Sequence, residues 1–300
     1  MSFEVNIAGV KFSNPIIAAA GTFGFGIEFR RFAHCLGGVV TKALTLKPRS
    51  GNPVPRIAEF NSGLVNSVGL ENPGLEVFTR NILPRMKGLK CRVLVNVAGE
   101  DVSEFVRMAE QLTDERIDGL ELNLSCPNVK QGGVLLGQSP QMVEELTGAV
   151  RKRTRKLLVV KLTANFVDPA ESAKAAEAGG ADAVTVINTL FGLVLNDDGK
   201  PLLGGRTGGV SGPAIKPFAL FCVDRVRAAV RVPVIGCGGI MNGKDAFDFF
   251  CAGASMVQVG TANLVEPGGA VRVAKEFKTL CQKKGIKGLE EIIGRAGGGK

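Results

Sequence analysis

The chain has 300 residues, of which 45% are hydrophobic and 22% charged, the balance of a globular protein with ample core material. No apolar run reaches the roughly 18 residues that span a bilayer. The opening MSFEVNIAGVKF lacks the basic and then apolar layout of a secretory signal, so a cytoplasmic protein is expected. The net charge of +9 invites a nucleic-acid partner. The basic residues are dispersed, however, apart from RKRTRK at 151–156, and there is no tyrosine or tryptophan on which bases could stack.

Residues 3–13 alternate like a small hairpin. After it, short apolar, β-rich runs recur with room for a helix between them: 14–21, 37–44, 92–99, 119–126, 157–163, 183–189, 233–239 and 256–262. Helical patterns cover 75–87, 103–115, 140–154, 169–179, 214–230, 243–252 and 269–284. Several open with an early proline, as at Ser139-Pro140, Asp168-Pro169 and Gly212-Pro213. Near-continuous apolar strands alternating with amphipathic helices predict a parallel sheet. Eight such units predict closure into a (β/α)8 TIM barrel, with the hairpin plugging its floor and a doubly wound open sheet as the runner-up. No linker interrupts the pattern, so residues 1–300 read as one domain. The connections after strands two, four and six (45–74, 127–139 and 190–212) are the longest. They fall at the strand C-terminal ends, where barrel enzymes build their sites.

Seven scattered cysteines and a single histidine, His34, leave neither a zinc site nor a cysteine-ligated iron–sulfur cluster to be assembled. The polar residues gather instead at strand ends: Lys42, Asn96, Asn123, Cys126, Asn128, Lys161, Asn188 and Thr189. Side chains alternate along a strand, so those aimed inward near the rim converge on one cavity. Two lysines and several amides there are costly to bury unless a polar ligand satisfies them, and a flat heterocycle rich in carbonyl and N–H groups would do so. The last two strands end in glycine, in GCGGI (236–240) and VGTAN (259–263), a pattern suited to phosphate. The spacing matches neither the GxGxxG nor the GxxxxGK[ST] fingerprint. His34 precedes its strand and so faces the other end of the barrel. Without an imidazole beside it, Cys126 reads as an acid–base thiol, not an acyl-transfer nucleophile.

TKALTLKPRSGNPVPR (41–56), NSVGLENPG (66–74), ELNLSCPNVKQGG (121–133), INTLFG (187–192), GGVSGPAIKP (208–217), VIGCGGI (234–240) and VGTAN (259–263) together resemble the dihydroorotate dehydrogenases. The resemblance runs unbroken from about residue 3 to about residue 265. The cysteine in SCPN is similar to the soluble class of that family. SCPNVKQGG and GTFGFG (21–26) are similar to its NAD-linked branch, whose catalytic chain works with a second subunit.

The resemblance implies oxidation of dihydroorotate to orotate in UMP synthesis, with Cys126 taking the C5 proton while hydride leaves C6 for FMN. Lys42 would touch flavin and substrate. Asn66, Ser67, Val68, Gly69, Leu70, Asn123, Asn128, Asn188 and Thr189 would hold the substrate. One FMN would rest on Ala20, Gly21, Lys42, Ala43, Asn96, Asn123, Lys161 and Ile187, with its phosphate at Gly212, Gly238, Gly239, Gly260 and Thr261. Ala20 stands where many relatives carry serine. Electrons bound for NAD would pass to a partner carrying FAD and a [2Fe-2S] cluster, giving a heterotetramer around a homodimer core. No metal site, nucleic-acid partner or membrane contact is implied. Other readings are the fumarate-using homodimeric branch, a flavin-dependent pyrimidine or dihydrouridine reductase, and a non-catalytic binding module.

Overall fold

The structure, a computed structural model, describes residues 3–114, 116–124 and 136–297. The chain opens with the antiparallel hairpin β1 (Val5–Ile7) and β2 (Val10–Phe12), turned at Ala8 and Gly9, both with positive φ. Strands β3 (Ile16–Ala18) and β4 (Gly38–Val40) follow, and the connection after β4 contains β5 (Ile57–Phe60) and β6 (Gly63–Asn66). Next come β7 (Arg92–Val97), β8 (Gly119–Asn123), β9 (Leu157–Leu162) and β10 (Ala183–Val186). The connection after β10 carries β11 (Leu190–Gly192) and β12 (Gly208–Ser211), and β13 (Val234–Cys237) and β14 (Met256–Val259) complete the set.

Strands β3, β4, β7, β8, β9, β10, β13 and β14 are hydrogen-bonded in that order, all parallel, and β14 returns to β3. This is the expected closed (β/α)8 barrel. Helices at Val102–Gln111, Pro140–Arg151, Pro169–Ala178, Lys216–Ala229, Gly243–Cys251 and Gly269–Lys283 return the chain between strands and along the wall. The proline starts behave as their chemistry requires: the Asp168 side chain accepts from the Ala170 N–H at 3.0 Å and that of Ser139 from Met142 at 3.4 Å. Gly212-Pro213 differs from expectation, opening a 3₁₀ turn (Pro213–Ile215) before the helix begins. The pattern at 75–87 is likewise broken into an α turn (Gly74–Val77), a wide π turn (Phe78–Ile82) and a 3₁₀ turn (Leu83–Met86). Pro84 lacks the N–H that would carry the α pattern onward. Among the described residues no helix is long and apolar enough to cross a membrane.

The long connections after the second and sixth barrel strands are more ordered than loops. They join as a four-stranded antiparallel sheet, β11-β12-β6-β5, in which Val65 opposes Val210 and Asn66 opposes Gly209. The short, glycine-containing β12 has no strand signature of its own. It becomes a strand because β6, far away in sequence, supplies the partner.

Inside the barrel the side chains form layers. Ile17, Val40, Leu94, Val159, Ala183, Ile235 and Met256 make an apolar layer that is closed from below by Ile7 and Phe12 of the hairpin. The hairpin therefore plugs the floor. Because Phe12 is 1% exposed in this close-packed layer, Phe12→Ala is expected to cost about 3–5 kcal/mol. Urea unfolding should show this as a lower midpoint at unchanged slope; a shift below ~1 kcal/mol would deny the plug its structural weight.

Candidate functional site

A strand with a period of two places the next inward layer two residues further on. From that apolar layer the count reaches Lys42 on the chain leaving β4, Asn96, Lys161, Thr185, Cys237 and Gln258, and on β8 it reaches Glu121. The apolar floor thus gives way in one step to a polar storey. Asn96, Glu121, Thr185 and Gln258 are fully buried, and Lys161 is nearly so.

Burying such groups is tolerable only because they answer one another. The Glu121 carboxylate accepts from Asn96 Nδ2 at 2.8 Å, from Thr185 Oγ1 at 2.9 Å and from Gln258 Nε2. Gln258 Nε2 also donates to Thr185 Oγ1 at 3.1 Å, while its Oε1 accepts from Lys161 Nζ at 3.3 Å. Burial alone would lower the Lys161 pKa. The neighbouring acidic groups of Cys237 and Glu121 outweigh it and hold the ammonium above the ordinary lysine value. One buried atom of the storey has no partner among the described residues, the amide oxygen Asn96 Oδ1.

One layer higher, at the rim, the expected amides come together. Asn188 Nδ2 donates to Asn123 Oδ1 at 3.1 Å, and Asn188 Oδ1 accepts from the Thr189 N–H at 2.8 Å. Asn165, which closes the short turn after β9, fixes the Thr189 carbonyl from the other side at 2.9 Å. The side sheet brings in residues from the second connection: Asn66 Nδ2 donates to the Gly209 carbonyl at 3.1 Å. A Cβ on Gly209 would stand 2.1 Å from Thr189 Oγ1, so only glycine lets β12 pass this close. Ser67 is buried with its hydroxyl held by Asn52 Nδ2 at 2.9 Å. The Val68 carbonyl accepts from the Asn52 N–H at 3.0 Å, and Gly69 and Leu70 follow at φ +74° and +54°.

The expected phosphate residues also converge. Gly212, Gly238 and Gly239 have φ of +96°, +129° and +75°, and a Cβ on Gly239 would lie 2.9 Å from the Gly212 carbonyl oxygen. Thr261 Oγ1 donates to Ser211 Oγ at 2.9 Å, which sets two hydroxyls beside the turn. Lys216, next to Gly239, is turned away onto Asp245 and Asp248 at 2.5 and 2.8 Å, so the concavity presents backbone and hydroxyl donors. A Cβ on Gly260, the residue before Thr261, would lie 3.6 Å from Ala19 Cβ; Gly21, expected at the ring, has φ +79° and a Cβ on it would meet nothing within 4 Å. Ala20 and Ala43 lie beside Gly21 and Lys42, and the Ile187 N–H donates to the Cys237 carbonyl at 2.9 Å.

Two expected residues, Cys126 and Asn128, lie outside the described residues. Lys42 is engaged with Glu71 at 2.5 Å, a pairing that its place at the rim does not foretell. Glu121, Thr185, Gln258, Ser211 and Asn165 are members of the site that sequence reasoning passed over. The first three carried a readable signal, a single polar residue two places past the apolar layer in GLELN, AVTVIN and MVQVG.

The arrangement suits a planar heterocycle carrying a phosphate. It offers a fixed cation, an amide oxygen lacking a donor, a cluster of rim amides and, apart from them, a donor-rich glycine turn. On this observation the residues present fit a flavin mononucleotide.

A family profile described as dihydroorotate dehydrogenase matches residues 2–280. The chain is 48% identical over 294 residues to the protein of Alkaliphilus oremlandii named dihydroorotate dehydrogenase B (NAD(+)), catalytic subunit, covering 97% of each chain. Proteins of the same name from Bacteroides fragilis and Caldicellulosiruptor saccharolyticus are 47% and 44% identical, over 97% and 98% of this chain and 97% and 99% of theirs. Among solved structures, the crystal structure of DHODH in complex with ferulenol from Eimeria tenella superposes with a TM-score of 0.81 at 26% identity. It covers 99% of this chain and 89% of that one.

Proposed function

Since the chain belongs to the dihydroorotate dehydrogenase family, we propose that it oxidises (S)-dihydroorotate to orotate for pyrimidine synthesis, with one FMN bound in the barrel. The observation that carries the reading is the polar storey beneath the rim amides, with its ammonium and its unanswered Asn96 oxygen. Bound FMN supplies the acceptor for the hydride leaving C6. The protein supplies position and charge. Lys161, held cationic inside an apolar wall, favours negative charge developing nearby. The amides of Asn66, Asn123, Asn128 and Asn188, with Thr189 and the 67–70 turn, orient a planar pyrimidine and reject analogues that leave them unpaired. Cys126 accepts the C5 proton. Lys42 moves from Glu71 to the bound ring system. Gly212, Gly238, Gly239, Gly260 and Thr261 hold the phosphate, while Ala20, Gly21, Ala43, Asn96 and Ile187 line the ring.

The relatives named catalytic subunit with NAD(+) in their names support a finer reading of the acceptor. In it, electrons leave for NAD through a partner subunit carrying FAD and a [2Fe-2S] cluster, in a heterotetramer built on a homodimer of this chain, in the cytoplasm.

The test is a visible spectrum. The purified chain should be yellow with FMN, and anaerobic dihydroorotate should bleach it. A colourless protein that cannot be reconstituted with FMN would defeat the proposal. Copurification with the native partner should add FAD and iron–sulfur absorbance. The side sheet gives a sharper check: Gly209→Ala should push the Thr189 hydroxyl aside and weaken orotate binding about tenfold or more while FMN stays bound. An unchanged orotate titration would remove Thr189 from the substrate site.

A further inference from the structure

The buried carboxylate of Glu121 lies in the polar storey with no role in the reading above. It accepts three hydrogen bonds, and an ionised carboxylate can only accept. That restriction fixes the direction of every amide it touches. Asn96 must turn its NH₂ to Glu121, which aims Oδ1 the other way as an acceptor for a ligand, and that atom has no partner among the described residues. Gln258 must likewise turn its NH₂ to Glu121 and Thr185, which leaves Oε1 to accept from Lys161 Nζ at 3.3 Å. Lys161 is thereby held as a charged donor.

Resting on the flavin reading, the geometry points to Glu121 as the positioning residue that sets the donor–acceptor polarity of the flavin site and, through its charge, the potential of the flavin. An acceptor at Asn96 and a cationic donor at Lys161 match the imide N–H and the carbonyl oxygens of an oxidised isoalloxazine. The carboxylate's negative charge, spread over three donors, opposes the negative charge that reduction brings. A neutral glutamine at 121 keeps the size but frees both amides to flip, because its own NH₂ can donate to Asn96 Oδ1.

Two variants give opposite signs. Glu121→Gln removes the buried negative charge. It should weaken FMN binding about tenfold, in line with the loss of a charged hydrogen bond. It should also shift the bound-flavin equilibrium at least tenfold toward the reduced form at the wild-type midpoint, about 30 mV for a two-electron couple. Thr185→Val keeps the charge and the shape but takes away one donor to the carboxylate, together with the weaker contact in which Thr185 Oγ1 accepts from Gln258 Nε2. The carboxylate's field is then less quenched, and the same ratio should move toward the oxidised form.

FMN affinity is read by fluorescence titration of the apoprotein and potential by anaerobic dye equilibration, both without turnover. Opposite shifts in the two variants support the assignment, and Thr185→Val alone carries it if Glu121→Gln does not fold. Ratios within twofold of wild type in the folded variants overturn it, since a purely structural carboxylate would alter affinity or stability and leave the potential in place. A wild-type chain that takes up no FMN overturns the flavin reading itself, a failure distinct from an unshifted potential.

Discussion

Cys126→Ala is expected to leave FMN bound and to slow flavin reduction by dihydroorotate about 10²–10⁴-fold, the usual contribution of a positioned general base. The size of the effect follows from the absence of a substitute. The only histidine, His34, caps the short helix Arg30–Ala33 ahead of β4, exposed and on the floor side of the barrel. No imidazole can take over the proton, so the loss should be nearly complete. Cys126→Ser should recover part of it only at alkaline pH, because a hydroxyl is a far weaker acid than a thiol, whose ordinary pKa is roughly 8.5. Stopped-flow reduction under anaerobic conditions measures both variants. A Cys126→Ala protein reduced at the wild-type rate would refute the assignment.

Lys161→Met is expected to cost about 3–5 kcal/mol of stability, because it strands the Glu121 carboxylate in the barrel without its compensating charge. Glu121 and Lys161 meet through Gln258, so the two are coupled and their effects should not add. The double variant Glu121→Gln with Lys161→Met should be more stable than Lys161→Met alone, and equal instability would break the coupling. The pH dependence has a definite sign. The folded-state pKa of Lys161 lies above the ordinary value of 10.5. Its stabilisation is therefore fully present below that value and is lost as the pH rises through the higher, folded-state pKa. Chemical denaturation of the wild type should show this alkaline loss, and Lys161→Met should lack it. The same variant should bind FMN poorly, since the cation and the fixed Gln258 amide go together.

Much of the architecture was legible because barrels repeat. Apolar β-rich runs of strand length, separated by proline-started helices, are local patterns, and a single helix cannot bury its face except against the neighbouring strands. The hairpin was legible from its alternation, and its role as the floor from its position before the first strand. At the site, Lys161 stood out because a lysine inside an apolar strand needs a partner. The glycine turns stood out because they fall after the seventh and eighth strands.

What failed to be legible depends on contacts distant in sequence. The segments 45–74 and 190–212 look like loops because β6 and β12 hold few strand-forming residues, and each becomes a strand only by pairing with the other. The π turn at Phe78–Ile82, just ahead of Pro84, and the 3₁₀ turn that Pro213 opens before Lys216 leave no mark in the hydrophobic pattern, which reads each stretch as part of one helix. The Lys42–Glu71 pair joins a strand end to a loop 29 residues on.

Glu121 shows the division most clearly. By itself the amino-acid sequence determined the barrel, the family and the residue types at the rim, because these follow from periodicity and from motifs read along the chain. Only the tertiary structure decided that a carboxylate in the middle of GLELN faces Asn96, Thr185 and Gln258 at once. Closure of eight strands brings those side chains within hydrogen-bond reach, and hydrogen bonds, unlike hydrophobic burial, are decided over tenths of an ångström and by direction.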